Sequence, residues 1–128
     1  KMSIFGLGSD VVEIIRIKKA LKNINFKKKI FSINEIKTMN SKSPTSFGYY
    51  AKRFAAKEAF SKALGTGISG GITFKDISIY NDKKGRPHIK LIGKTKSIVQ
   101  RMIKKRYKIF LSMSDEKKYA LATVIITY

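Results

Sequence analysis

The chain has 128 residues, a formal net charge of +20 and no cysteine. This length suits about one domain, and a hydrophobic fraction of 43% is too high for a disordered basic tail. The composition excludes disulfides and thiolate metal sites, and the surplus of lysine and arginine favours an anionic partner such as nucleic acid, a phosphorylated ligand, an acidic protein or anionic lipid.

Hydrophobic spacing predicts the elements of the chain. In chain order they are a strand at 3–12, helices at 13–23, 31–40 and 46–64, strands at 72–80 and 88–92, a helix at 94–105, and strands at 107–114 and 118–128. Ser9 or Asp10 would cap the first helix, and Ser32 with Glu35 has the spacing of a capping box for the second. Gly65 is the expected C-cap of the longest helix.

The remaining segments connect these elements. A polar loop is expected at 41–46 and a glycine-rich loop at 65–71, while the turn at 81–87 should join two strands into a hairpin. Strands and helices do not alternate regularly, which favours an α+β fold with a mainly antiparallel sheet and one long central helix. We expect a single domain spanning residues 1–128. No apolar run approaches the roughly 20 residues of a membrane span, so none is expected.

Asp10 follows an apolar strand and has two interpretations. An acid in this place is often a helix cap. The functional alternative is a ligand for a hard cation, because Mg²⁺ takes oxygen ligands and typically uses one or two carboxylates.

Glu58 is one of only eight acidic residues and lies among basic ones. A helix ion pair with Lys62 would account for it and would be worth only about 0.2–0.5 kcal/mol. Arg53 and Lys57 lie on the same helix, and the glycine-rich loop follows it. Cations beside exposed backbone amides suit a phosphate, and one carboxylate among them suits a magnesium ion bridging phosphates.

The other polar candidates carry less information. Ser112, Ser114 and Asp115 close a strand, where they would form either a polar strand end or part of a site. His88 follows a turn, and a surface position is the simpler interpretation than a catalytic one.

Several segments, in this order, resemble the signatures of the holo-[acyl-carrier-protein] synthase family of 4'-phosphopantetheinyl transferases. They are IFGLGSDVVEIIRI at 4–17, RFAAKEAFSKALGTGI at 53–68, NDKKGRPHIKL at 81–91 and LSMSDEKKYALATVII at 111–126. The resemblance runs nearly end to end, and it implies transfer of 4'-phosphopantetheine from coenzyme A to a serine of apo acyl carrier protein. Adenosine 3',5'-bisphosphate is left behind, and the product supports fatty acid biosynthesis.

The resemblance also implies site residues. Asp10 and Glu58 match magnesium ligands, and Lys62 matches the lysine that meets the phosphates. The base that takes the serine proton stays open between Glu58 and a metal-bound water. Positions that match the surroundings of coenzyme A are Arg53, Lys57, Lys62, Gly65, Gly85, Arg86, Pro87, Ser114 and Asp115. Asp115 falls where many relatives have His, so its role follows less directly.

The family forms homotrimers with coenzyme A bound between adjacent subunits, so the resemblance implies a composite site. Arg16, Lys19 and Lys22 match the surface that docks the acidic carrier protein. The expected compartment is the cytoplasm of a bacterium, or a plastid-like organelle of a eukaryote after removal of a targeting segment.

Two other functions remain as alternatives. A basic nucleic-acid-binding module would explain only the charge, and the sequence lacks both an aromatic stacking motif and an arginine-rich stripe, so no specific nucleic acid is expected. The second alternative is a coenzyme A-binding homologue that has no transfer activity. The basic runs 27–29 and 104–106 have no assigned role.

Overall fold

The computed structural model describes residues 2–42 and 46–128. The strands are β1 (Ile4–Glu13), β2 (Ile77–Asn81), β3 (Pro87–Leu91), β4 (Lys108–Asp115) and β5 (Tyr119–Thr127). The helices are α1 (Ile14–Ala20), α2 (Ile24–Ile30), α3 (Ile33–Lys42), α4 (Phe47–Leu64) and α5 (Gly93–Ile103). A 3₁₀ turn at Phe74–Asp76 precedes β2. None of these helices is long and apolar enough to cross a membrane.

A three-stranded antiparallel sheet covers one side of α4. Strand β5 lies in the centre, with β1 and β4 on either side. Residues on one face of β5 are buried against the helix, whereas their neighbours point to the other face. The buried residues are Ala120, Ala122, Val124 and Ile126. This period of two is what one packed face and one open face produce. The predicted antiparallel α+β architecture is confirmed.

Two glycines set the distance between β1 and α4. A Cβ atom on Gly6 would collide with the backbone carbonyl of Ala63, and one on Gly8 would collide with that of Ala59. Only residues without a side chain allow a strand and a helix backbone to approach so closely. The contact therefore holds the residues that follow Gly8, including Asp10, directly beside the helix.

The predicted ends of the central helices are confirmed. Gly65 adopts the left-handed conformation with a φ of 85°, and its N–H donates to the carbonyl of Lys62. At the start of α3, the N–H of Ser32 donates to Glu35 Oε1 at 2.7 Å, and the N–H of Glu35 donates to Ser32 Oγ at 3.1 Å. The capping box is thus formed. The hairpin of β2 and β3 is also present, with Ile77 paired to Leu91.

Several element predictions were wrong in detail. Ser9 and Asp10 lie inside β1 and cap nothing, because the strand continues to Glu13, which is the residue before α1. The strand expected from residue 72 begins at Ile77, since Phe74–Asp76 forms a 3₁₀ turn.

Two further differences concern the second and third helices. Helix α2 was not predicted. Its three consecutive lysines interrupt the apolar spacing by which a helix is recognised, and its apolar face is short. The loop expected at 41–46 overlaps the end of α3, and its centre lies outside the described residues.

Candidate active site

Strand β1 and the C-terminal half of α4 bring three predicted site residues together. Lys62 Nζ lies 3.0 Å from Asp10 Oδ1 and donates a second hydrogen bond, of 3.1 Å, to the carbonyl of Ser9. Glu58 lies one helical turn before Lys62 and is half-buried. The side chain of Lys62 is 54% exposed, against 18% for that of Asp10. The cluster therefore opens to solvent on the lysine side.

The two carboxylates of this cluster repel each other. Partial burial raises the pKa of Glu58, and the negative charge of Asp10 raises it further, while Lys62 acts in the opposite direction. A pair of carboxylates in this situation is stabilised by a cation that binds both. In the described ranges no group of three or more acidic or histidine side chains could hold a metal ion. Two protein carboxylates are a donor set that Mg²⁺ accepts, because this ion completes its shell with water and phosphate oxygens.

The simple helix ion pair between Glu58 and Lys62 is not what the structure shows. The ion pair of Lys62 reaches across to Asp10 on another element. The interpretation of Asp10 as a helix cap is excluded by its position in the strand. The glycine-rich loop starts beside this cluster, where the N–H of Gly67 donates to the carbonyl of Ser61 at 3.3 Å.

Lys57 was predicted to lie near coenzyme A, and the structure corrects this. Its side chain is completely buried, and Nζ donates to Glu35 Oε1 at 2.7 Å and to the carbonyl of Phe74 at 2.9 Å, with a third bond to the carbonyl of Ile77. Burial lowers the pKa of the Lys57 amine, and Glu35 opposes that change. A buried charge is tolerated only when it is paired and hydrogen-bonded, so Lys57 is a core residue that has no donor left for a ligand.

Arg53 is also buried, at 2% exposure, which contradicts direct contact with a ligand. Its guanidinium lies 3.5 Å from the ring centre of Tyr49 and donates to the Tyr49 carbonyl at 3.3 Å. It also donates to Asn81 Oδ1 at 2.7 Å, and Asn81 Nδ2 donates to the carbonyl of Gly85 at 2.9 Å. Arg53 therefore reaches the hairpin turn from inside the protein.

The other residues of that turn agree with a surface role. Gly85 and Arg86 are exposed and Pro87 is half-buried. Gly85 has a φ of 85°, and a Cβ there would meet nothing within 4 Å, so the glycine serves the backbone conformation and leaves open space in front of it. His88 bonds to Asp82 at 2.9 Å and stacks on Tyr80, which makes it part of the hairpin rather than of the Asp10 cluster.

Ser114 and Asp115 do not reach the Asp10 cluster within one chain. Asp115 forms an ion pair of 3.0 Å with Lys52, near the opposite end of α4. Its strand β4 is separated from β1 by β5, and Ser114 is exposed. Their contribution to a coenzyme site stays a prediction.

The predicted docking residues are all exposed and lie on or just after the first helix. Arg16 and Lys19 lie on α1, and Lys22 follows it, all three exposed. Ile15, at 50% exposure, lies beside them. A basic surface with an exposed apolar side chain is suited to an acidic protein that also has apolar contacts.

Sequence reasoning missed three contributors to this region. They are the Ser9 carbonyl that accepts from Lys62, the partnership of Glu35 with Lys57, and the bridging amide of Asn81. Only Asn81 had a usable signal, since it opens the NDKKGRP turn. The other two depend on contacts between distant parts of the chain.

The chain is similar to known proteins in sequence and in fold. Residues 6–124 match the family model of the 4'-phosphopantetheinyl transferase superfamily. The holo-[acyl-carrier-protein] synthase of Pelagibacter ubique is 53% identical, over 98% of each chain. The acyl carrier protein synthase of Plasmodium yoelii, solved with ADP bound, is 40% identical with a TM-score of 0.87, covering 99% of this chain and 97% of that one. The enzyme of Bacillus anthracis, solved with CoA (3',5'-ADP), is 34% identical with a TM-score of 0.81, covering 99% of this chain and 98% of that one.

These similarities span the whole fold and include the segments that carry Asp10, Glu58 and Lys62. The chain therefore belongs to the 4'-phosphopantetheinyl transferase superfamily, as an enzyme of the holo-[acyl-carrier-protein] synthase type.

Proposed function

We propose that this chain transfers 4'-phosphopantetheine from coenzyme A to a serine of apo acyl carrier protein, in support of fatty acid biosynthesis. The observation that carries the proposal is the cluster of Asp10, Glu58 and Lys62, in which two interacting carboxylates lie beside a solvent-exposed amine. This combination suits a pyrophosphate held by a divalent cation. Similarity to holo-[acyl-carrier-protein] synthases over almost the full chain supports the same reaction.

In the proposed reaction, the serine oxygen of the carrier attacks the phosphorus that bears the pantetheine. The bond between that phosphorus and the bridging oxygen breaks, and adenosine 3',5'-bisphosphate leaves with the electron pair. The serine proton passes to the carboxylate of Glu58, whose pKa is raised, or to a water molecule. Lys62 is exposed enough to turn from Asp10 to a phosphate oxygen, where its charge would stabilise the leaving group.

Mg²⁺ is the proposed cofactor, with Asp10 and Glu58 as its protein ligands. When bound, the ion would neutralise charge on the phosphate oxygens during transfer. The support within this chain is the raised pKa of Glu58, which follows in part from the nearby charge of Asp10. A cation there would relieve the repulsion between the two carboxylates.

We propose that the chain forms a homotrimer with its sites between subunits. The face of the three-stranded sheet that points away from α4 exposes Leu7, Val11, Phe110 and Leu121 to between 42% and 63%. Exposed apolar side chains on adjacent strands favour contact with another protein surface, and a second copy is the partner that the family likeness suggests. This contact would also bring Ser114 and Asp115 of one subunit towards its neighbour. Light scattering coupled to gel filtration should give three times the chain mass, and a monomer would contradict the proposal.

Acyl carrier protein is the proposed macromolecular partner. The exposed cations Arg16, Lys19 and Lys22 would attract an acidic carrier and orient it at the site. The compartment follows from the source of the chain. We propose the cytoplasm if the source is a bacterium, as it is for the similar proteins of Pelagibacter and Vibrio, or a plastid-like organelle if the source is a eukaryote.

Intact-mass spectrometry of apo acyl carrier protein, incubated with this enzyme, coenzyme A and Mg²⁺, tests the reaction directly. We expect a mass gain of one phosphopantetheine, which EDTA abolishes. Asp10→Asn and Glu58→Gln should each lower the rate by about 100-fold or more, because each removes a group aimed at the developing charge. Glu116→Gln is the matched control, since Glu116 is exposed in the turn between β4 and β5.

Two results would contradict these assignments. If a folded wild-type sample modifies none of several apo carriers, the transferase proposal is wrong, and a coenzyme A-binding or polyanion-binding protein is left as the alternative. If Asp10→Asn and Glu58→Gln keep the rate of Glu116→Gln, the metal and catalytic assignment is wrong.

A further inference from the structure

Asn81 is the last residue of β2 and joins the central helix to the neighbouring turn. Its Oδ1 accepts from Arg53 Nη2 at 2.7 Å, and its Nδ2 donates to the carbonyl of Gly85 at 2.9 Å. One amide thus accepts from a buried cation and donates to the segment that carries Arg86 and Pro87. The oxygen accepts one hydrogen bond and the nitrogen donates the other, so the amide cannot be turned over without losing both bonds.

The Arg53 end of this connection is rigid. Arg53 is 2% exposed, stacks 3.5 Å above the ring centre of Tyr49 and donates to the Tyr49 carbonyl. A guanidinium held by stacking and by hydrogen bonds has little freedom to move. Arg53 therefore acts as a fixed point on α4 from which Asn81 can hold the turn.

Hydrogen bonds within the turn hold its own shape, but they do not connect it to α4. The carboxylate of Asp82 accepts from the N–H groups of Lys84 at 2.9 Å and Arg86 at 3.0 Å, and the Asp82 carbonyl accepts from the N–H of Gly85 at 2.9 Å. His88 bonds to the same carboxylate. These contacts keep the loop in one shape, whereas the side-chain link from α4 runs through Asn81.

We propose that Asn81 is a positioning residue for coenzyme binding, which places Gly85, Arg86 and Pro87 relative to α4. The inference rests on the proposed function and on the expectation, from the family resemblance, that this turn lies beside coenzyme A. Asn81 acts through the Gly85 carbonyl and need not touch the ligand. The same connection gives Arg53 a role that its burial allows, as the anchor of the turn and not as a direct ligand contact.

The chemistry of the amide provides a selective substitution. Asn81→Asp keeps an oxygen that accepts from Arg53 but loses the N–H that donates to the Gly85 carbonyl, so it breaks only one of the two bonds. Asn81→Ala removes both bonds without adding charge. Asn40→Asp is the matched control for the added charge, since Asn40 is exposed on α3.

The test is steady-state kinetics of the 128-residue chain with coenzyme A and apo acyl carrier protein, together with the melting temperature of each variant. For Asn81→Asp we expect the KM for coenzyme A to rise about tenfold, which corresponds to about 1.4 kcal/mol. The kcat, the KM for the carrier protein and the melting temperature should stay close to wild type. Asn81→Ala should raise the KM for coenzyme A at least as much, and Asn40→Asp should change nothing.

The outcomes separate this inference from the proposed function. If wild type transfers the group and Asn81→Asp has the KM of Asn40→Asp, the positioning role is wrong while the function stands. A rise in KM for Asn81→Asp but not for Asn81→Ala would mean charge repulsion, which also overturns it. If Asn81→Asp lowers both kcat and the melting temperature, Asn81 has a merely structural role, and the inference is overturned. If wild type transfers nothing, the proposed function itself fails.

Discussion

Helix α4 contributes lysines to three ion pairs with carboxylates, and two of these pairs are similar in length but opposite in burial. Lys57 and Glu35 are 2.7 Å apart with both side chains completely buried, whereas Lys62 and Asp10 are 3.0 Å apart with side chains 54% and 18% exposed. In the buried pair, Lys57 also donates to two backbone carbonyls and Glu35 accepts from the N–H of Ile79. All of these bonds connect elements of the core.

The difference in burial suits the two pairs to different roles, one in stability and the other in the proposed reaction. Removing one member of a buried pair leaves an uncompensated charge in a medium that cannot solvate it. An exposed pair is screened by water and contributes little to folding, so its members can exchange partners at low cost. Lys57 and Glu35 therefore hold α3, α4 and β2 together, while Lys62 and Asp10 can exchange partners, as the proposed function requires.

The largest expected effect comes from breaking the buried pair. Lys57→Met should lower the free energy of unfolding by about 3–5 kcal/mol, because Glu35 would keep its charge without a partner. Urea denaturation followed by circular dichroism measures the change. Lys62→Met, on the same helix, is the matched control and should cost less than about 1 kcal/mol.

A second substitution sharpens this result. Replacing both members, as Lys57→Met with Glu35→Leu, should recover part of the lost stability, since no unpaired charge then remains. Equal stability of Lys57→Met and Lys62→Met would contradict the contrast between the two pairs.

An intermediate effect is expected from the exposed pair, and on activity instead of stability. Lys62→Met should lower kcat/KM about 100-fold, the usual consequence of losing one group that stabilises developing charge. Transfer of phosphopantetheine, measured by intact mass over time, gives the rate. Lys96→Met on α5 controls for the loss of one exposed cation and should keep the wild-type rate. If Lys62→Met is as active as this control, Lys62 has no role in catalysis.

The smallest expected effect is a pH dependence that belongs to Glu58. Its pKa is raised above the ordinary value of 4.5, by burial first and by Asp10 second. Between 4.5 and the raised pKa, the folded protein holds a proton that the unfolded chain has released. The contribution of Glu58 to stability is therefore full below pH 4.5 and is lost as the pH rises through the raised pKa.

The measurement is the urea midpoint of wild type and Glu58→Gln at several pH values, with and without Mg²⁺. As the pH rises, the urea midpoint of wild type should fall relative to that of Glu58→Gln. Mg²⁺ should reduce this fall because it favours the carboxylate form of Glu58. Because Glu58 is half-exposed, the effect should be modest. If the urea midpoints of Glu58→Gln and wild type depend on pH in the same way, the raised pKa of Glu58 does not affect stability.

The same two lysines show what the sequence could and could not reveal. Ser32 and Glu35 were predicted as a capping box because that signal is local. The partner of Glu35 lies 22 residues away, so no local pattern points to it. Lys57 and Lys62 are separated by about 140° around the helix, yet α4 is buried on most sides and the hydrophobic pattern did not tell which lysine points inward.

The candidate site was predicted mainly by likeness to known signatures. Asp10 and Lys62 are 52 positions apart in the chain, and their contact depends on the packing of β1 against α4. Local interpretations of both residues, as a helix cap and as a helix ion pair, were wrong, because each describes only a neighbourhood in sequence. Arg53 and Lys57 share a signature with Glu58, but burial gives them roles inside the protein.

The glycines of β1 have a consequence for how substitutions at the site would be tolerated. Gly6 and Gly8 lie against the backbone of α4, where a single methyl group would meet a carbonyl oxygen. An alanine at either place would move the strand away from the helix and would draw Asp10 away from Lys62. A complete mutational scan should therefore find these two positions as intolerant as the acidic residues themselves, although neither glycine has a functional group. The spacing of the proposed catalytic groups therefore depends on two residues that have no side chain.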